Sequence, residues 1–217
     1  SVGTLADLSV LSFHPVKHLT TGEGGMVLTN SEPMAARMKL FRNHGISSDH
    51  RQRAASGAWH YEMVDLGYNY RICDFQCALG ISQLKKLPQF LERRREIAKK
   101  YDESFVNFPN LRPLLKRDDC EHAYHLYPIR IDFAALGKEK KDVFAALKAA
   151  GIYVVVHYPP LHLHPYYRRR FGYKEGDFPV VEKAYEQLVS IPIFPGLKAE
   201  EQAHVVNTFR QILTNNG

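Results

Sequence analysis

The run from Cys73 to Phe105, CDFQCALGISQLKKLPQFLERRREIAKKYDESF, constrains the fold more than any other stretch of this chain. Its apolar residues recur at helical spacing, so it predicts one long helix. Phe75, Leu79, Ile81, Leu84 and Leu87 mark its expected buried side, Pro88 is expected to bend or break it, and the charged remainder reads as a solvated face. A helix of that reach joins parts of a molecule. The chain is therefore expected to hold the end of one α/β domain, a linking helix within residues 1–108, and a smaller α/β domain over 109–217.

The flanks support that division. LADLSVLSF and GGMVLTN are short β-branched runs on either side of a loop, and Ser31-Glu32-Pro33 is a helix start for a segment that Gly45 ends. Residues 49–58 are small, polar and without period, which predicts a mobile loop. After a Pro-containing connector, YHLYPIRIDF alternates like a strand and KEKKDVFAALKAAG like an amphipathic helix closed by Gly151. IYVVVHY reads as a strand, PVVEKAYEQLV as a helix, SIPIF as a short strand and KAEEQAHVVNTFRQILTN as the closing helix.

Composition narrows the function classes. The 217 residues carry a formal net charge of +6, concentrated at Arg93-Arg94-Arg95 and Arg168-Arg169-Arg170. Such triplets are ordinarily solvated helix faces, and no zinc-finger, helix-turn-helix or aromatic RNA-platform motif accompanies them. Small anionic substrates are thus favoured over nucleic acid. No apolar run reaches the roughly 20 residues that cross a bilayer. Three cysteines, Cys73, Cys77 and Cys120, cannot all pair within one chain, so a reducing, cytoplasmic location is expected. The opening SVGTLADLSVLSF reads as the middle of a folded protein, and the chain is expected to be the C-terminal portion of a longer one.

The loop between the first two predicted strands, SFHPVKHLTTGEGG, places Lys17 after Pro15 and ahead of every glycine of the run. That order excludes a P-loop, whose lysine directly follows its second glycine. A lysine held at a strand end and partly desolvated can lose its proton near neutral pH and form a Schiff base with an aldehyde. Ser12, five residues earlier, and the glycine-rich backbone suit a phosphate on that aldehyde, and pyridoxal phosphate carries both groups. A plain surface turn is the competing reading of the spacing alone.

SFHPVKHLTTGEGGMVLTN resembles the Schiff-base segment of the DegT-type nucleotide-sugar aminotransferases, members of the aspartate aminotransferase superfamily (fold type I). FRNHGI is similar to the family's Arg-x-His-Gly element, and YEMVDLGYNYRICDFQCALGISQLKKL to its Gly-x-Asn-x-Arg segment with the helix that follows. GIYVVVHYPPLHLHPYYRRRFGY and SIPIFPGLKAEE resemble its small-domain signatures. Within the family the wording is closest to the branch acting in pseudaminic acid biosynthesis. The resemblance implies an α/β fold of the type I class: the end of a large mixed-sheet domain followed by the small C-terminal domain. It implies a cytoplasmic homodimer that moves an amino group from L-glutamate to a UDP-linked 4-keto-6-deoxy sugar for surface-glycan or flagellin sugars.

By the same resemblance Lys17 is the Schiff-base lysine and proton shuttle, and Ser12 binds the cofactor phosphate. Asn69 reaches the phosphate of the neighbouring subunit's cofactor. Arg71 touches phosphate or glutamate, or pairs with a carboxylate on the next helix. His157, Tyr158 and His162 lie by the sugar-nucleotide pocket. The family also needs a carboxylate on the pyridine nitrogen, an aromatic stacked on the ring and a Gly-Thr phosphate turn, all preceding this segment. A truncated, non-catalytic domain that keeps the fold and a dimer or ligand surface is the alternative expectation. His157, His162 and His164 could be read as metal ligands, but no acidic residue or Cys completes the set within the stretch, so no metal is expected. Tyr158, Tyr166, Tyr167, Phe171 and Tyr173 read either as packing of a small domain or as rings that stack on a base.

Overall fold

The computed structural model describes residues 3–48 and 50–214 and separates into two compact units, Ser1–Leu87 and Pro88–Gly217. In the first unit β1 (Ser9–Ser12) and β2 (Gly25–Leu28) form an antiparallel pair, with Ser9 opposite Leu28 and Ser12 opposite Gly25. The pair closes the base of the loop that carries Lys17. Helix α1 (Glu32–Arg42) starts as its sequence predicts: the Ser31 hydroxyl accepts from the Met34 N–H, and Pro33 sits in the first turn. Gly45, at φ +68°, returns its N–H to the Leu40 carbonyl and ends the helix.

The segment expected to be a mobile loop contains helix α2 (His50–Ser56), and Asp49 lies outside the described residues. Its small and polar residues hide the reason in local bonds. Arg53 donates to the Ser48 carbonyl, and the Ser56 hydroxyl donates back to Gln52.

Helix α3 (Asp74–Phe105) is continuous through Pro88, so the proline does not break it. Its burial reverses the sequence expectation. The stripe expected to be covered is open, with Phe75 75% and Ile81 58% exposed. The half expected to be solvated buries Arg94, Ile97, Ala98, Tyr101 and Phe105. Periodicity marks a face that gains from cover, but it does not place a partner over that face. Among the described residues of the first unit, no large apolar side chain is buried.

The second unit holds the core. Strands β3 (Leu111–Pro113), β4 (Tyr127–Ile131) and β5 (Leu188–Ile191) form an antiparallel sheet in that order. Tyr127, Ile129 and Ile131 alternate inward along β4 while Arg130 faces out. They pack in one cluster with Ile97, Tyr101 and Phe105 of α3, with Val143 and Leu147 of α4 (Lys140–Ala149), and with Val205, Phe209 and Leu213 of α7 (Ala199–Thr214). The Tyr101 hydroxyl donates to the Pro192 carbonyl at 3.0 Å. Buried Arg94 donates to the carbonyls of Tyr124 and Ile193, and its removal from water holds its pKa below the ordinary value.

IYVVVHY, expected to be a strand, is extended but makes only one bridge, Val155 to Ser190 on β5. β-branched residues suit a half-buried extended segment, yet a strand needs a run of partners. This one enters Pro159-Pro160, which have no N–H to offer. A 3-10 turn (Leu161–Leu163), α5 (Pro165–Phe171) and α6 (Pro179–Gln187) follow. Among the described residues no helix is long and apolar enough to cross a membrane.

Candidate active site

The loop between β1 and β2 is held by its own hydrogen bonds. The Phe13 N–H donates to the Gly24 carbonyl at 2.8 Å, and Phe13 in return accepts from the N–H of Thr21 and the hydroxyl of Thr20. Lys17 sits in a tight turn, its N–H on the His14 carbonyl at 3.0 Å, and is half-buried. Ser12, at the end of β1, is exposed, and its Oγ accepts from the His14 N–H. Buried Thr21 turns its hydroxyl onto the Glu23 carbonyl, which also accepts from the Gln76 amide at 2.9 Å. A Cβ on Gly24 would stand 2.3 Å from Thr21 Oγ1, so the turn closes only around a glycine. Part of the glycine run is thus structural: the Gly22 N–H goes to Thr20, and Gly25 pairs with Ser12.

The segments FRNHG and GYNYR, far apart in sequence, meet at the end of α1. Tyr68 donates its N–H to Phe41 and accepts from His44, Tyr70 donates to Arg42, and Asn43 bridges Asn69. The Arg71 guanidinium donates to the Asn43 side chain at 2.8 Å. Two glycines permit this strap. A Cβ on Gly45 would lie 1.7 Å from the Asp65 carbonyl oxygen, and one on Gly67 2.1 Å from the Gly45 nitrogen. Asn69 and Arg71 are both exposed beside the strap. Asn43 escaped the sequence reading, although it stands inside FRNHGI, because nothing in that motif announces Arg71 as its partner.

The residues expected by the sugar-nucleotide pocket lie in the second unit. The His157 ring Nδ1 is 2.9 Å from the buried Ser190 hydroxyl, while Tyr158 projects with 70% exposure. His162 is 7% exposed and its Nε2 meets a Glu182 carboxylate oxygen at 2.7 Å. The same carboxylate accepts the N–H groups of Gly176 and Phe178. Glu182 was invisible to sequence reasoning, since its partner lies 20 positions away and an acid in a helix's first turn is commonplace. Among the described residues, no group of three His, Cys, Asp or Glu side chains is placed to hold a metal ion.

The Gly176 N–H, helped by His162 and Phe178, holds the Glu182 carboxyl below the ordinary carboxylate range. A group lowered in the folded state contributes stability that is complete above its unfolded value, about pH 4.3. That contribution is lost as the pH falls through the lower, folded value. Acid titration of the Glu182→Gln variant, followed by circular dichroism, is expected to lose part of the wild-type drop in stability below about pH 4. An unchanged acid profile would contradict this role.

Residues 1–210 match the DegT/DnrJ/EryC1/StrS aminotransferase family. The chain belongs to that family. It is 44% identical over 217 residues to the uncharacterized protein MJ1066 of Methanocaldococcus jannaschii, covering 99% of this chain and 56% of that protein. It is 40% identical over 212 residues to the UDP-4-amino-4,6-dideoxy-N-acetyl-beta-L-altrosamine transaminase of Campylobacter jejuni, covering 98% and 54%. Among solved structures, PseC of Helicobacter pylori, an aminotransferase of pseudaminic acid biosynthesis, superposes with a TM-score of 0.86 at 33% identity, covering 98% of this chain and 55% of that one. The chain thus spans about half the length of the curated relatives it matches. The fold expectation holds: this is α/β architecture of the type I pyridoxal-phosphate enzymes, the class of these family members.

The cofactor expected from the resemblance is also the family's, and a Streptococcus pneumoniae neighbour, Spr1654, has been solved in forms named for pyridoxal and pyridoxamine phosphate. The loop carries one side-chain function of the right chemistry for each end of that group. Lys17 offers an amine for an aldehyde, and Ser12 offers a hydroxyl for a phosphate. The backbone bonds of Phe13 to Gly24 and Thr21, and the side chains of Thr21, Ile72 and Phe13 crowding Gly24, fix the path of this loop.

Proposed function

We propose that this chain belongs to a pyridoxal-phosphate-dependent aminotransferase that moves an amino group from L-glutamate onto a UDP-linked 4-keto-6-deoxy sugar, for surface-glycan or flagellin sugar biosynthesis. The observation that carries the reading is Lys17, presented by a hydrogen-bonded loop between β1 and β2, in a chain that matches the family over residues 1–210. Bound pyridoxal phosphate supplies an electron sink that acidifies the C–H beside the amine nitrogen. Lys17 Nζ would hold that group covalently and, once free as an amine, would carry the proton to and from the reacting carbons. The Ser12 hydroxyl would hold its phosphate. Asn69 reaches the phosphate bound by a second copy, in a cytoplasmic homodimer with shared sites, and Arg71 is the candidate cation for phosphate or the glutamate carboxylate. His157, Tyr158 and His162 serve the sugar-nucleotide side. Residues 1–108 belong to the cofactor domain and 109–217 to the small domain. Three free thiols, Cys73, Cys77 and Cys120, suit a reducing compartment.

Incubation with pyridoxal phosphate, borohydride reduction and peptide mass spectrometry test this reading. Label is expected predominantly on Lys17 and is expected to vanish from that peptide in Lys17→Ala. Equal labelling of many lysines, with no preference for Lys17, would overturn it. A second reading, a non-catalytic domain, is favoured by the open apolar stripe Phe75–Leu84 in a unit with no buried large apolar side chain among its described residues. It predicts a folded chain without selective labelling, and repeating the experiment on the complete gene product separates the two.

A further inference from the structure

A recess where α4 begins takes no part in the chemistry assigned to Lys17. It has a volume of about 480 Å³ and is lined by Asp132, Phe133, Lys138, Lys140, Tyr185 and Glu186 among others. Concavities of this size admit small molecules. Lys138 and Lys140 are half-buried there, whereas Lys148, further along α4, and Lys183 of α6 are exposed. The Lys140 ammonium donates to the Tyr185 carbonyl at 2.7 Å, a backbone acceptor in the last turn of α6. Three rings surround the same nitrogen, with centroids at 5.1 Å for Tyr185, 5.9 Å for Phe144 and 6.0 Å for Phe133.

Rings exclude water from an ammonium and return only weak attraction at the edge of their reach, about 6 Å. The Tyr185 carbonyl accepts from one of three N–H groups that water would otherwise satisfy. Burial accordingly lowers the Lys140 pKa, opposed by the negative charge of Glu186. Asp132 and Glu186 balance Lys138 and Lys140 in the lining, so the recess carries no net formal charge that would hold the proton in place. A lysine so placed spends more of its time as the free amine, the form that attacks carbonyl carbon.

The product of such an attack also suits the walls. An amide at Nζ keeps one N–H for the Tyr185 carbonyl, while its neutral acyl carbons meet Phe133, Val156 and Tyr185. Exchanging a half-desolvated cation for a neutral amide removes a burial cost. An exposed lysine gains neither advantage.

We propose that Lys140 is an acylation site, modified by activated short-chain acyl groups, as acyl phosphates or acyl thioesters, that enter this recess. The free amine attacks the acyl carbonyl carbon, and the C–O or C–S bond breaks. Phosphate or thiolate leaves with the bonding pair, and the proton on nitrogen passes to water. Nothing is oxidised or reduced. The inference is independent of the aminotransferase reading, because it uses none of the residues that reading assigns.

The test treats the folded chain at neutral pH with acetyl phosphate or, separately, acetyl-CoA, and times acetylation of each lysine by peptide mass spectrometry. Lys140 is expected to react about fivefold or more faster than Lys148 and Lys183 with at least one donor, and the faster donor identifies the acyl source. The preference is expected to vanish in urea and to shrink as the pH rises and every amine loses its proton. Glu186→Gln, at an exposed position, is expected to quicken Lys140 alone, because the opposing charge is gone. Rates at Lys140 no greater than those at Lys148 and Lys183 with both donors would overturn the site. So would a preference that survives urea, or one indifferent to pH and to Glu186→Gln.

Discussion

Replacing Phe209 by alanine is expected to destabilise the second unit by about 3–5 kcal/mol. Phe209 is completely buried on α7, and its ring stands edge-on to Phe105 of α3 at 6.2 Å. Phe105 in turn meets Phe108 edge-on and Tyr101 face to face. Truncation would remove the transfer energy of one ring and leave a cavity walled by other rings, which relax poorly into such a space. Gln202, two turns earlier on the same face, ties α7 to the Ile97 carbonyl, so the helix would stay in place and the void would persist. Urea unfolding should show a lower midpoint with an unchanged slope. A loss below about 1 kcal/mol would mean that the cluster is not the stabilising core it is taken to be.

The second large effect is expected at Gly45. Alanine there would force a Cβ to 1.7 Å from the Asp65 carbonyl oxygen and a side chain onto φ +68°. Neither strain has a local remedy, because the obstacle is backbone. The strap must part, at a cost of more than about 3 kcal/mol to the local structure. Hydrogen exchange is the direct measurement. The amides of His44, Val64 and Tyr68, bonded to Tyr68, Gly45 and Phe41, should lose protection together. Amides of β4 and β5 should keep theirs. Retained protection at His44, Val64 and Tyr68 would show that the strap tolerates the methyl group.

These two sites also show what the sequence could disclose. Strand β4, α1, α4 and α7 were legible because each satisfies its own pattern: alternation along Tyr127–Ile131, the Ser31 cap, and apolar faces that a core then covers. The errors share a cause. On α3 the pattern ranked Phe75 and Ile81 above Ile97 and Tyr101, but burial depends on what lies opposite, which only tertiary structure provides. Arg94 was hidden inside a basic triplet, and nothing local says that backbone carbonyls will receive its guanidinium. IYVVVHY has strand composition, yet it found one bridge partner. At the candidate site, the strand-loop-strand setting of Lys17 was legible from its turn and neighbours. Asn43 and Glu182 were not, because their meaning lies in contacts to Arg71 and His162 across 28 and 20 positions.

Helix α3 carries a consequence for dynamics. It is one continuous helix, but it is unevenly secured. From Arg94 onward it is locked by buried side chains, whereas from Phe75 to Leu84 its apolar stripe faces open space. Pro88, at the change of character, brings no N–H to the ladder. Local opening therefore costs little more than helix propensity in the first half and approaches the cost of global unfolding in the second. The helix has two stabilities along one axis, and the step between them falls at its proline.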